Sequence, residues 1–336
     1  MTRMVSSKAF IFIALAFMAP LAAGAECKLE RLASMDIEVN PNGGVLVPVQ
    51  MNGRDAWMVL NMGSGMPMIG PAAVDAFRLK TGPVAKESFI NGNRVQKQAR
   101  ADSLRVGNAN FAGWTFLVVP GPARPLQGFK GRPLAGALTS AFFNAVDVEL
   151  DIGARKLNLF KQASCKGAQV YWGGKASSAN LYSDAGGLLY FPLELDGKRV
   201  DTAFNTQDRF SGISERVARD FYGFEIGSTG VASESRRGPD GSMITVGVKA
   251  MALTGHGLDI PALPITIEPE RARRCTPSSN RESGGIGFQG CVGVVPLTIG
   301  TDVLAQLRLY IASKENKIYF TRAGSAGPAE AEGSQR

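Results

Sequence analysis

Apolar and polar positions alternate in short runs that stop at glycine-bearing turns, and the same arrangement occurs twice along the chain. Residues 47–54 read Val-Pro-Val-Gln-Met-Asn-Gly-Arg; residues 191–198, 144 positions on, read Phe-Pro-Leu-Glu-Leu-Asp-Gly-Lys. A period of two marks a half-buried strand, and the Asn52-Gly53 and Asp196-Gly197 dipeptides accept the positive φ that a two-residue hairpin turn demands. The offset persists: Leu60 falls on Phe204, Asn61 on Asn205, Ile69 on Ile213 and Phe77 on Phe221. Near the end of each half, residues 148–159 align with 309–320 at an offset of 161, so the second half is longer by 17 residues.

Both halves follow one order. The returning strand runs into Asn61 or Asn205, and a short helix comes next. Pro71 suits the first turn of that helix in one half and Ser214 can cap it in the other, while Ala73/Phe77 and Val217/Phe221 stand four apart on one face. A second hairpin is expected around Asn91-Gly92 and Pro239-Asp240-Gly241, then a strand ending at Gly107 or Gly255, a small helix or turn, and a final strand pair. Many short strands with only brief helices predict an all-β chain with one barrel-like lobe per half. The stretch 166–187, rich in Gly, Ser and Ala, reads as a linker between a first lobe over 26–165 and a second over 188–322, and 323–336 reads as a disordered tail.

The first residues stand apart from this plan. Arg3 and Lys8 precede an apolar run of 15 residues over 9–23, and Ala23-Gly24-Ala25 forms a small-residue cleavage signal. The run is short of the roughly 20 residues of a membrane span. A secretory signal peptide over 1–25 is expected, which predicts a periplasmic or secreted protein without a membrane span. Glu26, directly before Cys27, argues against a lipid anchor there. Export changes the reading of Cys27, Cys165, Cys275 and Cys291, because an even count in an oxidising compartment favours two disulfides over a metal or redox site. Three connectivities are possible. Cys275 and Cys291 enclose 15 residues rich in Pro, Ser, Gly and Arg, so they are expected to pair, adding about 3 kcal/mol by loop closure, and Cys27 would then pair with Cys165.

With 45% hydrophobic and 20% charged residues the 336-residue chain is globular. A single histidine, His256, limits Ser-His or Cys-His nucleophile pairs, and a zinc site would need that same His plus cysteines expected to form disulfides, so no metal or cofactor is expected. The net charge of +8 falls to +6 when Arg3 and Lys8 leave with the signal peptide. Apart from Arg236, Arg237 and a group at Arg271, Arg273, Arg274 and Arg281, the basic residues are dispersed. No aromatic side chains interleave with them, so nucleic acid is not an expected partner.

The polar triplets after the returning strands carry the chemistry. They read Asn61-Met62-Gly63-Ser64 and Asn205-Thr206-Gln207-Asp208; Leu297-Thr298-Ile299-Gly300 follows later in the second half, and its counterpart Leu138-Thr139 lacks the glycine. A hairpin, a strand ending in a short polar triplet, a small helix and a later hydrophobic-hydrophobic-Gly turn resemble the aspartic peptidases, specifically the bacterial retropepsin-like type with two lobes in one chain. The resemblance covers nearly the whole mature sequence. It implies an all-β bilobal fold of two retropepsin-type barrels whose triplets meet beneath flap hairpins. It also places Asn61 and Asn205 at the catalytic Asp positions, with Met62, Gly63, Ser64, Thr206, Gln207 and Asp208 as substrate contacts.

Both acids of the resembled family are therefore absent. Two carboxylates about 3 Å apart share one proton, the charged one activating water and the protonated one polarising the scissile carbonyl. An asparagine amide does neither, although Asn61 and Asn205 have the donors and acceptors to hydrogen-bond each other across the interface. In that family the triplet Thr hydroxyl buttresses the opposite lobe and the Gly permits a tight turn; Met62 removes the first and Gln207 the second. Asp208 and Asp55 are displaced carboxylates that read as solvated turn or strand acids. Ser64 has no histidine nearby in sequence and no Gly-x-Ser-x-Gly context. His256, between two glycines, is expected in an exposed loop, and Trp57, Trp114 and Trp172 as packing residues. The expectation is an exported, monomeric pseudoprotease binding an extended peptide or protein segment in the interlobe cleft. Residual endopeptidase activity through Asp208 or another acid is one alternative, and an envelope structural or interaction protein using an outer surface is another.

Overall fold

The computed structural model describes residues 29–323 apart from 86, 91–92, 122–124, 163–169, 171–175, 238–241, 270–275, 281 and 290–294. The signal peptide, the tail beyond Ala323, the tips at Asn91-Gly92 and Pro239-Asp240-Gly241, Trp172 and all four cysteines lie outside the described residues. Among those described, short strands predominate, joined by four short helices and one 3-10 turn.

Both predicted hairpin turns form for the stated reason. Asn52 and Gly53 have φ of 47° and 78°, Asp196 and Gly197 have 46° and 73°, and each pair joins strands in continuous antiparallel register. In the first half, strand Val45–Met51 pairs with Arg54–Asn61, which runs parallel to Arg132–Thr139 with Leu138 opposite Leu60 and Thr139 opposite Asn61. The second half repeats this: Leu189–Leu195 pairs with Lys198–Phe204, which runs parallel to Leu297–Ile299 with Phe204 opposite Ile299. Each half builds its own large sheet around an apolar interior, the first including Leu60, Ile69 and Phe77, the second Phe204, Ile213 and Val217. Pro71 opens helix Pro71–Ala76. Helix Glu215–Tyr222 starts where the Ser214 hydroxyl accepts from Val217 N at 3.3 Å, and Gly223 closes it at φ 72°.

A third sheet belongs to both halves. Its six strands are Arg31–Asp36, Lys156–Phe160 and Asp147–Asp151 from the first half and Leu307–Ala312, Lys317–Arg322 and Ser177–Asn180 from beyond it. Asp147–Asp151 and Leu307–Ala312 meet antiparallel, Val148 opposite Ile311 and Leu150 opposite Leu309. Under the 161-residue offset these pairs exchange, so the joint has the self-complementary pairing of a two-fold interface centred on Glu149 and Tyr310. Glu149 also bonds Arg308 across the halves: Arg308 Nε lies 2.7 Å from Glu149 Oε1, with both side chains almost wholly buried, and Asn158 Nδ2 donates to Glu149 Oε2 at 3.1 Å.

The stretch 166–187, expected as a linker, is not all connection. Ser177–Asn180 pairs with Lys317–Arg322 at the rim of the shared sheet, and Tyr182–Ser183 pairs with Leu189–Leu195. Small polar residues carry little strand signal of their own, and here the ladder of a preformed sheet edge recruits them. The extra length of the second half includes the hairpin Thr276–Ser279/Ile286–Gln289, between strands Leu258–Glu268 and Leu297–Ile299. His256 is a further correction. It lies in a turn at φ 50°, yet the ring is half-buried, lies 3.0 Å from Pro192 O through Nε2 and stacks on Phe320 with centroids 5.6 Å apart. Trp57 is buried, and Trp114 packs with Phe111 and Phe142.

Candidate functional site

The two triplet loops meet where the halves abut. Asn61 ends strand Arg54–Asn61, 7% exposed, followed by fully buried Met62 and half-buried Gly63 and Ser64. In the second half Asn205 is half-buried, Thr206 fully buried, and Gln207 and Asp208 exposed. Thr206 stitches the loops together: its hydroxyl donates to Leu60 O at 2.6 Å and accepts from Met62 N at 3.2 Å, while its carbonyl accepts from Val45 N at 2.8 Å. Met62 occupies the matching repeat position, and its thioether goes into the core, so this side-chain buttress runs in one direction only. The loops approach so closely that a Cβ on Gly63 would stand 3.0 Å from Phe204 O.

Asn61 and Asn205, which have the groups to hydrogen-bond each other, form no such bond among the described residues. Asn205 Oδ1 accepts from Gln207 N at 3.3 Å within its own loop, a local turn contact available without bringing two lobes into register. Among the described residues the Asn61 side-chain amide makes no hydrogen bond, so its donors and acceptors remain unspent at the junction.

Neither displaced acid comes into position as a replacement. Asp208 Oδ1 accepts from Arg209 N at 2.6 Å and Phe210 N at 3.3 Å, closing its own turn. Asp55 Oδ1 accepts from Gln50 Nε2 at 2.8 Å on the exposed face of the first hairpin. Ser64 Oγ accepts from Met66 N at 3.3 Å and its carbonyl accepts from both the amide and the hydroxyl of Ser140 at 3.0 Å; His256 is engaged with Pro192 and Phe320 instead. A Ser-His pair is therefore not assembled.

Several residues that support the loops are absent from the motif reading. Asn40 Oδ1 accepts from Asn42 N and Gly44 N, and Asp184 Oδ1 accepts from Gly186 N and Leu188 N, four bonds of 2.8–2.9 Å related by the same 144-residue offset. Each turn presses on the opposite half's loop. A Cβ on Gly43 would stand 2.6 Å from Arg209 N, and one on Gly65 only 1.7 Å from Gly186 O. Ser140 Oγ also donates to Gly187 O. The signal that could have found these turns is the repeat itself, continued upstream from residue 47.

Behind the second loop, Ser211 Oγ donates to Asp302 Oδ1 at 2.8 Å and accepts from Gly300 N at 3.0 Å. Burial pushes the Asp302 carboxyl above its ordinary range, and the Ser211 bonds pull it back in part. Gly300 is required here, since a Cβ would lie 2.5 Å from Arg209 O. In the first half Thr139 occupies the matching place, fully buried, its hydroxyl without a partner among the described residues. The arrangement holds two amide-bearing loops rigidly together, and among the described residues no cluster of three potential metal ligands occurs.

Residues 47–142, which include the first triplet loop, match the family model described as aspartyl protease. The structure is similar to an aspartic proteinase from Irpex lacteus, at 9% identity and a TM-score of 0.49 over 87% of this chain and 97% of that one. It is also similar to basic 7S globulin from soybean, at 7% identity and a TM-score of 0.46 over 88% of this chain and 95% of that one. No curated protein matches the chain. The described residues form an all-β fold with one large sheet in each half and a third shared between them, and the aspartyl protease match lies within the first half.

Proposed function

We propose that this chain is an exported, non-catalytic relative of the aspartic peptidases that acts as a single chain and binds an extended peptide or protein segment between its lobes without cutting it. The observation that carries this reading is the pair of asparagines at the two loop positions, with Asp208 and Asp55, among the described residues, each engaged in local hydrogen bonds. Hydrolysis on this plan requires one carboxylate to deprotonate water while a second, protonated, polarises the carbonyl. An amide has no such equilibrium near neutral pH. What remains supports recognition: Asn61 keeps an unspent donor and acceptor beside the junction, and the Thr206 stitch and the two glycine turns keep the loops pre-organised.

The test incubates mature wild type and the Asn61→Asp/Asn205→Asp double variant with a mixed peptide library at acid and neutral pH, scoring cleavage and retention by mass spectrometry. Wild type is expected to retain a subset of peptides intact. Cleavage by wild type that disappears on Asp208→Asn would overturn the proposal in favour of an endopeptidase. Peptides neither cut nor retained would overturn it in favour of a protein working through an outer surface.

A further inference from the structure

Among the described residues the large apolar side chains left exposed are Phe89, Phe210 and Met243, at 46%, 42% and 62%. Phe210 lies five residues after Asn205 on the second loop. Phe89 belongs to the hairpin Phe89–Ile90/Asn93–Arg94, and Met243 to the hairpin Ala232–Arg237/Met243–Gly255, the hairpins that follow the first helix in each half. Single exposed apolar residues need no explanation, but Phe210 follows closely on the loop that Thr206 stitches to the first half, which marks it as a candidate for contact.

Phe210 is also held in place. The Arg236 guanidinium lies over its ring, 3.9 Å from the centroid. Arg236 is itself fixed on both edges: Nε and Nη2 donate to Glu234 Oε2 at 3.1 and 2.8 Å, and Nη1 donates to Thr266 Oγ1 at 2.9 Å. Thr266 N in turn donates to Ser211 O at 2.9 Å, next to Phe210. A guanidinium so engaged has little left for an anion and acts as a plate behind the ring. With the guanidinium over one face, Phe210 still keeps 42% of its surface exposed, and its orientation is already set, so a ligand stacking on it loses little side-chain freedom on the protein's part. The strand that supplies Arg236, Ala232–Arg237, pairs only with Met243–Gly255 among the described residues, so its outer edge is open to an extended backbone. Glu234, Arg236 and Arg237 on that edge discourage indiscriminate strand pairing.

Resting on the cleft-binding reading above, we infer that Phe210 on its Arg236 plate is a specificity site that selects extended polypeptide presenting an aromatic side chain. An aromatic ring stacks on Phe210 with a geometric gain that an aliphatic chain of similar area lacks, and the cation over that ring favours an electron-rich partner.

The experiment measures fluorescence anisotropy of labelled ten-residue peptides, identical but for a central Tyr, Leu or Ala, against the mature wild type, Phe210→Ala, Phe210→Leu and Arg236→Gln. Wild type is expected to favour the Tyr peptide over the Leu peptide by about fivefold. Both Phe210 variants abolish this preference, and Arg236→Gln reduces it. Because Phe210 is exposed, its variants retain the fold, which circular dichroism checks. Equal affinity of wild type for the Tyr and Leu peptides, or a preference that survives in Phe210→Ala, would overturn the aromatic site while leaving the cleft reading intact. Absence of binding by any peptide to wild type would overturn both.

Discussion

Replacing Thr206 by Val tests the claim that one hydroxyl fastens the two halves. Valine keeps the β-branched shape and the volume, so the core is not reopened, but Leu60 O loses its cross-lobe donor and Met62 N loses its acceptor. Both groups belong to fully buried residues, as does Thr206. A buried amide left unpaired costs about 1–3 kcal/mol and the loss of a typical hydrogen bond to the carbonyl about 1 kcal/mol, so Thr206→Val should destabilise by about 2–4 kcal/mol. Thr206→Ser retains the hydroxyl and gives up one methyl group, at about 1 kcal/mol. Equilibrium urea unfolding followed by tryptophan fluorescence should therefore rank wild type above Ser and Ser above Val. If Val proves as stable as Ser, the hydroxyl's two bonds do not hold the halves together and the reasoning fails.

At the centre of the shared sheet, Glu149→Gln leaves the buried Arg308 charge without its carboxylate and should cost about 3–5 kcal/mol, while Glu149→Leu/Arg308→Met should recover most of the loss; a single variant as stable as wild type in the same unfolding assay refutes this. Desolvation holds the Asp201 carboxyl above 3.8, with Asn280 Nδ2 donating to its Oδ2 at 2.6 Å. The folded state therefore binds the proton more tightly than the unfolded chain, and this stabilisation, complete below pH 3.8, fades as pH rises through the elevated value. Asp201→Asn should flatten that decline in a series of unfolding midpoints taken upward from pH 3.8, and an unchanged slope counts against it.

Features set by local backbone demands were legible from the residues. Asn52-Gly53 and Asp196-Gly197 could only be tight turns between alternating strands, and Pro71 and Ser214 open helices by their own φ and hydrogen-bonding capacity. Contacts decided by competition between near and distant partners were not. Asn205 turns to Gln207 N, two residues away, in preference to Asn61 in the other half. Gly255-His256-Gly257 has the backbone of an exposed turn, but the imidazole finds Phe320, which only the assembled sheets bring near. Ser177–Asn180 has the composition of a linker and becomes a strand because Lys317–Arg322 offers it an edge. The stacking of Arg236 on Phe210 joins residues 26 positions apart: Asp240-Gly241 announces the hairpin, but not which of its side chains reaches the second loop.

The crossed glycine turns have a mechanical consequence. The turn at Asn40–Gly44 bears on the second loop near Arg209, and the turn at Asp184–Leu188 bears on the first near Gly65. A rocking motion that lifts one half away from one turn drives the other turn into backbone already within van der Waals range, so the lobes are braced against hinging in either sense.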